Sequence, residues 1–230
     1  MKFRFLVSII VLISMISIVK AQSAGIHLML GYPQGEFKEN VDRLGYGFNI
    51  HGTLWSASKE RPFTIGLNVG YLVYGEESER RRFSNPIPDV WVDVNRTNSI
   101  LNFHLLFQIS PFTGTWRPYV EGLFGGAYIF TSTNIESEWD NEEIARSTNF
   151  DDYTWSYGGG AGLLIKLSEN LGDVSTLYLD LKARYMFGTN AEYLAEGSIT
   201  VDQKNGNVYY DVLESKTDLL SVHIGVTAYF

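Results

Sequence analysis

The chain contains no cysteine. In an exported protein that excludes a disulfide framework and any thiolate metal site. Basic residues are scarce as well. Once Lys2, Arg4 and Lys20 are set aside with the leader described below, 15 lysines and arginines remain against 26 acids, a net charge of −11. Such a surface does not suit nucleic acid, whose phosphates demand a basic partner. Beyond the leader, no segment approaches 18 consecutive apolar residues, which excludes membrane helices.

Several positive features stand against these absences. Lys2 and Arg4 precede an apolar run from Leu6 to Val19, and Val19-Lys20-Ala21 offers small residues at the usual cleavage spacing. The run is short for a membrane helix, which needs about 20 apolar residues. Residues 1–21 are therefore expected to be a signal peptide, with the mature chain starting at Gln22. The 22–230 remainder has the length of one all-β domain. Aromatic residues make up 14% of the chain, as expected of a barrel with interfacial girdles.

A period of two dominates the mature chain. Phe63, Ile65, Leu67, Val69, Tyr71 and Val73 alternate with small or polar neighbours. Leu101 to Ile109, Leu177 to Tyr185 and Leu220 to Phe230 repeat the pattern. Alternation of this kind separates the two faces of a strand. The second face is rich in glycine (Gly158, Gly160, Gly162) and in charges of both signs (Asp180, Lys182, Arg184), as a narrow polar interior requires. Eight strands are predicted, at 25–32, 46–56, 63–74, 97–110, 118–131, 153–167, 174–187 and 217–230. Their connections alternate between short ones and the long stretches 33–45, 75–96, 132–152 and 188–216. Short periplasmic turns and long extracellular loops are the pattern of outer-membrane barrels. The expected fold is all-β, an eight-stranded antiparallel up-and-down transmembrane β-barrel. Tyr32, Tyr46, Tyr71, Tyr128, Trp155, Tyr185 and Phe187 are expected in its outer girdle. Trp55, Phe63, Phe112, Trp116, Tyr119 and Phe230 are expected in the inner one.

The leader, the eight alternating segments and the terminal run Val222-His223-Ile224-Gly225-Val226-Thr227-Ala228-Tyr229-Phe230 carry a resemblance. The chain resembles small bacterial outer-membrane barrels of the OmpA transmembrane and OmpX type, and especially the PorT-like barrels. The terminal run is similar to the signal read by the barrel-assembly machinery, with Val222, Ile224, Val226 and Ala228 apolar at every second residue and Phe230 aromatic at the end. The resemblance implies a Gram-negative cell envelope, contact with outer-membrane lipid and lipopolysaccharide, and a protein partner at the extracellular loops. It implies no cofactor and no catalytic motif. No further periplasmic domain is expected after Phe230.

Several residues invite a chemical reading. His27, His51, His104 and His223 all fall on the inward face, where they could ligate a transition metal or fill a hydrogen-bonded network; the network is the commoner outcome. Glu121, Lys166, Asp180, Lys182 and Arg184 also point inward. An eight-stranded barrel is just wide enough to be filled by side chains, so these charges are expected to pair as a plug rather than to line a solute path. Ser221 and His223, with Asp180 on an adjacent strand, are similar to the His and Ser of outer-membrane lipid A deacylases. Here the order is reversed, and the spacing along the strand, about 6.5 Å, disfavours a direct bond.

Glu136, Glu138, Asp140, Glu142, Glu143, Asp151 and Asp152 crowd the 132–152 stretch. They suit either a calcium ion or a solvated acidic rim. Arg80, Arg81 and Arg82 could touch lipopolysaccharide phosphates. Gly158 to Gly162 lacks the helix of a nucleotide-binding loop and reads as a close-packed strand. Three functions follow: a non-enzymatic outer-membrane barrel, a barrel enzyme acting on envelope lipid, or a secreted lipocalin-like binder with its faces reversed.

Overall fold

A computed structural model describes residues 22–57, 61–84, 87–110, 114–137, 143–202 and 207–230. The expected signal peptide, 1–21, and Phe112 of the expected inner girdle lie outside the described residues. In chain order the elements are β1 (Ser23–Pro33), α1 (Gly35–Asn40), β2 (Gly45–Trp55), β3 (Phe63–Ser84), β4 (Ile87–Ile109), β5 (Trp116–Ser137) and β6 (Glu143–Leu171). They continue with β7 (Val174–Gly188), β8 (Asn190–Tyr193), β9 (Ile199–Val201), β10 (Val208–Tyr210), β11 (Leu213–Lys216) and β12 (Leu219–Tyr229).

β1 to β7 and β12 form one closed ring in the order β1-β12-β7-β6-β5-β4-β3-β2. Every pairing is antiparallel between sequence neighbours of the ring, and β1 closes it against β12 from Ser23↔Tyr229 to Pro33↔Leu219. The chain is thus the eight-stranded up-and-down barrel its alternation predicts. Closure leaves no edge strand in the ring, so every strand there has a partner on both sides.

The two faces divide as the alternation requires. Leu28 is 70% exposed, Leu105 60% and Val120 54%, all on the outer wall, whereas Asp180, Arg184 and His27 are each 3% exposed or less inside. A lipocalin-like binder needs the reverse. One aromatic departs from the expected girdle: Tyr119 is buried and faces the lumen. It shares the parity of Glu121 two residues on, and side chains two apart on a strand lie on the same face.

The stretches 75–96 and 132–152, expected as loops, are mainly continuations of the wall. β3 and β4 stay paired out to Ser84↔Ile87, and β5 and β6 out to Glu136↔Glu143. Period-two alternation persists there: Val92, Val94, Arg96 and Asn98 are buried on one face of β4, and the polar Asp93, Asn95 and Thr97 take the positions that are apolar lower on the wall. Hydropathy fades along these stretches, but strand pairing does not. β1, β2 and β12 each have 11 residues, against 22, 23, 22 and 29 for β3 to β6. The four long neighbours rise as a curved sheet above one side of the barrel. The stretch 33–45 holds α1, and 188–216 folds into two small sheets, β8 with β11 and β9 with β10.

Candidate functional site

The lumen is filled in three layers. Its centre is ionic. Asp180 on β7 accepts hydrogen bonds from Tyr119 Oη at 2.6 Å, His27 Nε2 at 2.7 Å and Thr227 Oγ1 at 3.1 Å. Lys182 Nζ lies 3.4 Å from Asp180 Oδ2. It also lies 3.2 Å from His27 Nε2, but that nitrogen cannot accept while it donates to Asp180, so the ammonium is satisfied through the carboxylate. Glu121 on β5 takes both prongs of Arg184, Nε at 2.6 Å and Nη2 at 3.1 Å, while Arg184 Nη1 donates to Asn68 at 2.9 Å. Two acids and two bases thus neutralise one another, as buried charges must.

Backbone spacing makes room for these side chains. β6 turns glycines inward opposite the bulky residues of both neighbours. Gly160 sits between Glu121 and Arg184, and Gly162 between Tyr119 and Lys182. A Cβ at Gly162 would lie 2.4 Å from the Tyr119 ring, and one at Gly160 2.9 Å from Arg184 Cγ. The glycine run is therefore a floor over which large polar groups from β5 and β7 meet.

Three histidines, His27, His51 and His223, join this layer. The His27 and His51 rings stack at 5.3 Å, and His223 stands edge-on to His27 at 6.5 Å. Among the described residues no group of three or more His, Asp or Glu side chains is arranged to hold a metal ion. Ser221 Oγ lies 2.9 Å from His223 Nε2, a direct contact that the spacing along the strand disfavours. Asp180 does not complete a triad, since its oxygens are taken by His27, Tyr119 and Thr227. Above the ion pair, Asn49, Asn68, His104, Ser221 and His223 border a cavity of about 30 Å³, room for about two waters.

Lys166 stands apart from this cluster. It pairs at 2.5 Å with Glu169 near the β6–β7 turn and is partly exposed, because the inward column of β6 leaves the barrel at that height. At the same end, Arg117 stacks over the rings of Tyr229 (5.0 Å) and Tyr178 (5.4 Å). Tyr119, Leu164 and Tyr178 pack together above it and form the floor.

The third layer closes the opposite mouth. Phe37 of α1 is fully buried against Tyr74 and Tyr193, with ring centroids at 5.6 and 5.2 Å. Leu72, Ile100, Ile129 and Leu219 complete this apolar cap. Tyr74 Oη donates to the Leu194 carbonyl at 3.0 Å and Asn40 Nδ2 to Tyr193 Oη at 2.9 Å, so the cap ties together β3, α1 and the 188–216 stretch. Sequence reasoning missed it. Leu72 and Tyr74 have inward parity, which was the available signal, but Phe37 sits in an irregular stretch with no periodicity to read.

Among the described residues of the acidic stretch, Asp152 and Glu136 are taken up by separate partners. Asp152 accepts from the Glu192 amide at 2.8 Å, and Glu136 takes bonds from Asn95 and Asn134. Glu138, Asp140 and Glu142 lie outside the described residues. Arg81 pairs at 2.6 Å with Glu79, so one of the three expected phosphate contacts already has an acid beside it. The Arg82 side chain lies outside the described residues.

No protein-family profile matches the chain, and no curated protein matches it. Among solved structures, Neisserial surface protein A is similar at 8% identity over 90% of this chain and 96% of that one, with a TM-score of 0.36. The outer membrane protease OmpT of Escherichia coli is similar at 14% identity over 81% of this chain and 63% of its own, with a TM-score of 0.35. A major outer membrane protein from Thermus thermophilus is similar at 13% identity over 90% of this chain and 99% of that one, with a TM-score of 0.34.

Proposed function

We propose that the protein is an integral outer-membrane barrel of OmpA/OmpX or PorT-like kind, exported by a cleaved signal peptide. In this reading it is non-enzymatic and non-conducting, and it works through what it presents outside the membrane. One observation carries the membrane reading: a closed ring of strands with leucine, phenylalanine and valine outward and the ion pairs inward. In water that arrangement exposes apolar side chains and buries charge at a cost on both counts. In a bilayer it satisfies every backbone group and hides the charges. The filled lumen supports the lack of a solute path, and the raised β3–β6 sheet supports a partner-facing role.

Cell fractionation tests the first part. A heat-modifiable, detergent-requiring band in the outer membrane is the expected result, and a freely soluble periplasmic form would overturn it. Planar bilayers test the second: reconstituted protein is expected to give no stepwise ion current. The Ser221–His223 contact keeps a lipid-modifying enzyme as the alternative. That reading requires lipid A of altered mass in cells that make the protein, and an unchanged profile removes it.

A further inference from the structure

His104 on β4 is held by no other side chain. It is 5% exposed, and neither Nδ1 nor Nε2 has a hydrogen-bond partner among the described residues. Strand register supplies the reason. Its neighbour on β3 is Asn68, whose Oδ1 is taken by Arg184. Its neighbour on β5 is Gly125, and the inward residues on either side of that glycine, Leu123 and Ala127, are buried and apolar. The wall therefore offers this imidazole nothing to bond.

Two further groups at the same height are only half used. His223 Nε2 meets Ser221 Oγ at 2.9 Å, but its Nδ1 has no partner among the described residues. Asn49 Nδ2 donates to the Val69 carbonyl at 3.2 Å, which fixes the amide's orientation, but its Oδ1 has none. His104, His223 and Asn49 all border the cavity of about 30 Å³ above the ion pair. Ile100, Ile129 and Leu219 of the apolar cap border it as well. The four polar atoms are shut off from bulk solvent. Buried polar atoms without any partner are costly and rare, so these four define the chemistry of what lies between them.

In either protonation state an imidazole carries at least one N–H, which needs an acceptor, whereas Asn49 Oδ1 only accepts and needs a donor. A halide accepts but cannot donate. A metal ion meets lone pairs alone, and among the described residues no carboxylate borders the cavity to balance it beside Arg184. Water donates and accepts, and the volume suits about two molecules. We infer that this cavity is the binding site of a resident water pair that fastens His104 to His223 and Asn49. Through it the hydrogen-bonded network of the lumen runs from Ser221 and His223 on β12 across to β4 and β2, strands that these side chains do not otherwise join.

The first test is a crystal structure of the full chain in detergent, grown with bromide in place of chloride and at a resolution that shows ordered water. The expected result is about two waters within hydrogen-bond distance of His104, His223 and Asn49, without anomalous signal. A dry cavity overturns the site, and so does an anomalous peak in it. Oxygen-17 relaxation dispersion counts long-lived waters in solution. His104→Phe keeps a ring but no polar atom and is expected to lose about two of them relative to wild type. His104→Gln restores a donor and an acceptor and is expected to recover about one. Lys166→Gln, near the β6–β7 turn, is expected to lose none. Heat-modifiable migration establishes that each variant has folded. An unchanged count in folded His104→Phe overturns the site, and if that variant does not fold the crystal decides alone. The water pair rests on the closed barrel, so cell fractionation tests the membrane reading separately.

Discussion

Glu121 and Arg184 form their two-pronged ion pair across a strand that carries no side chain between them. β6 separates β5 from β7, and the residue registered with both partners is Gly160. The pair is therefore as much a property of the glycine as of the charges.

Breaking this pair from one side is expected to be expensive. Glu121→Gln leaves the Arg184 guanidinium buried without its counter-charge, which costs about 3–5 kcal/mol. The double change Glu121→Leu with Arg184→Met removes both charges and is expected to recover most of that loss. The urea midpoint of the detergent-folded protein measures both, and equal destabilisation by the single and double variants would contradict the account.

Inward and outward glycines are expected to respond oppositely. Gly162→Leu drives a side chain into the Tyr119 ring, where even a Cβ sits at 2.4 Å, and is expected to abolish the heat-modifiable band. Gly122→Ala meets nothing within 4 Å and is expected to fold as wild type. Semi-native electrophoresis of the two variants side by side gives the comparison.

The cap and the ionic plug are separate layers, so they are expected to fail separately. Phe37→Ala empties a fully buried aromatic site and costs about 3–5 kcal/mol where the gap cannot collapse. Limited proteolysis within 188–216 is expected to rise, since β8 and the Tyr193 ring lose their anchor. Ion current is expected to stay absent, because Arg184, Glu121 and the Arg117–Tyr229 stack still fill the barrel below. A current through Phe37→Ala would show that the lower layers do not seal.

The raised sheet carries its own pH dependence. The hydrogen bond from Arg81 holds the Glu79 carboxyl below the ordinary glutamate range, helped by the charges of Arg81 and Arg96. A depressed carboxylate contributes stability above its unfolded pKa and loses it as pH falls through the folded value. The β3–β4 hairpin tip is thus expected to become more protease-sensitive below about pH 4, modestly so for an exposed pair. Glu79→Gln is expected to flatten that dependence.

Much of the architecture was legible because one period ruled it. Alternation from Phe63 to Val73 and from Leu220 to Phe230 named both faces of the wall, and the inward parity of Asp180, Lys182 and Arg184 followed. Parity also carried Tyr119 inward, although its aromatic ring suggested a girdle. What alternation could not give was partner choice. Nothing in the spacing distinguishes Lys166, held by a local Glu169, from Lys182, held by Asp180, because depth along the strand decides it. The apolar cap was invisible for a different reason: Phe37 and Leu194 lie in segments without a repeat, and only the fold brings them to Tyr74. The extended hairpins are not legible from hydropathy, because polar residues pair across strands as well as apolar ones do.

The unequal wall has a directional consequence. β3 to β6 continue about ten residues past the mouth, roughly 33 Å at about 3.3 Å per residue, while β7, β12, β1 and β2 stop near it. The molecule thus wears a visor on one flank. The stretch 188–216 leaves and re-enters the ring on that low flank, between β7 and β12, and it carries Tyr209 and Tyr210 uncovered.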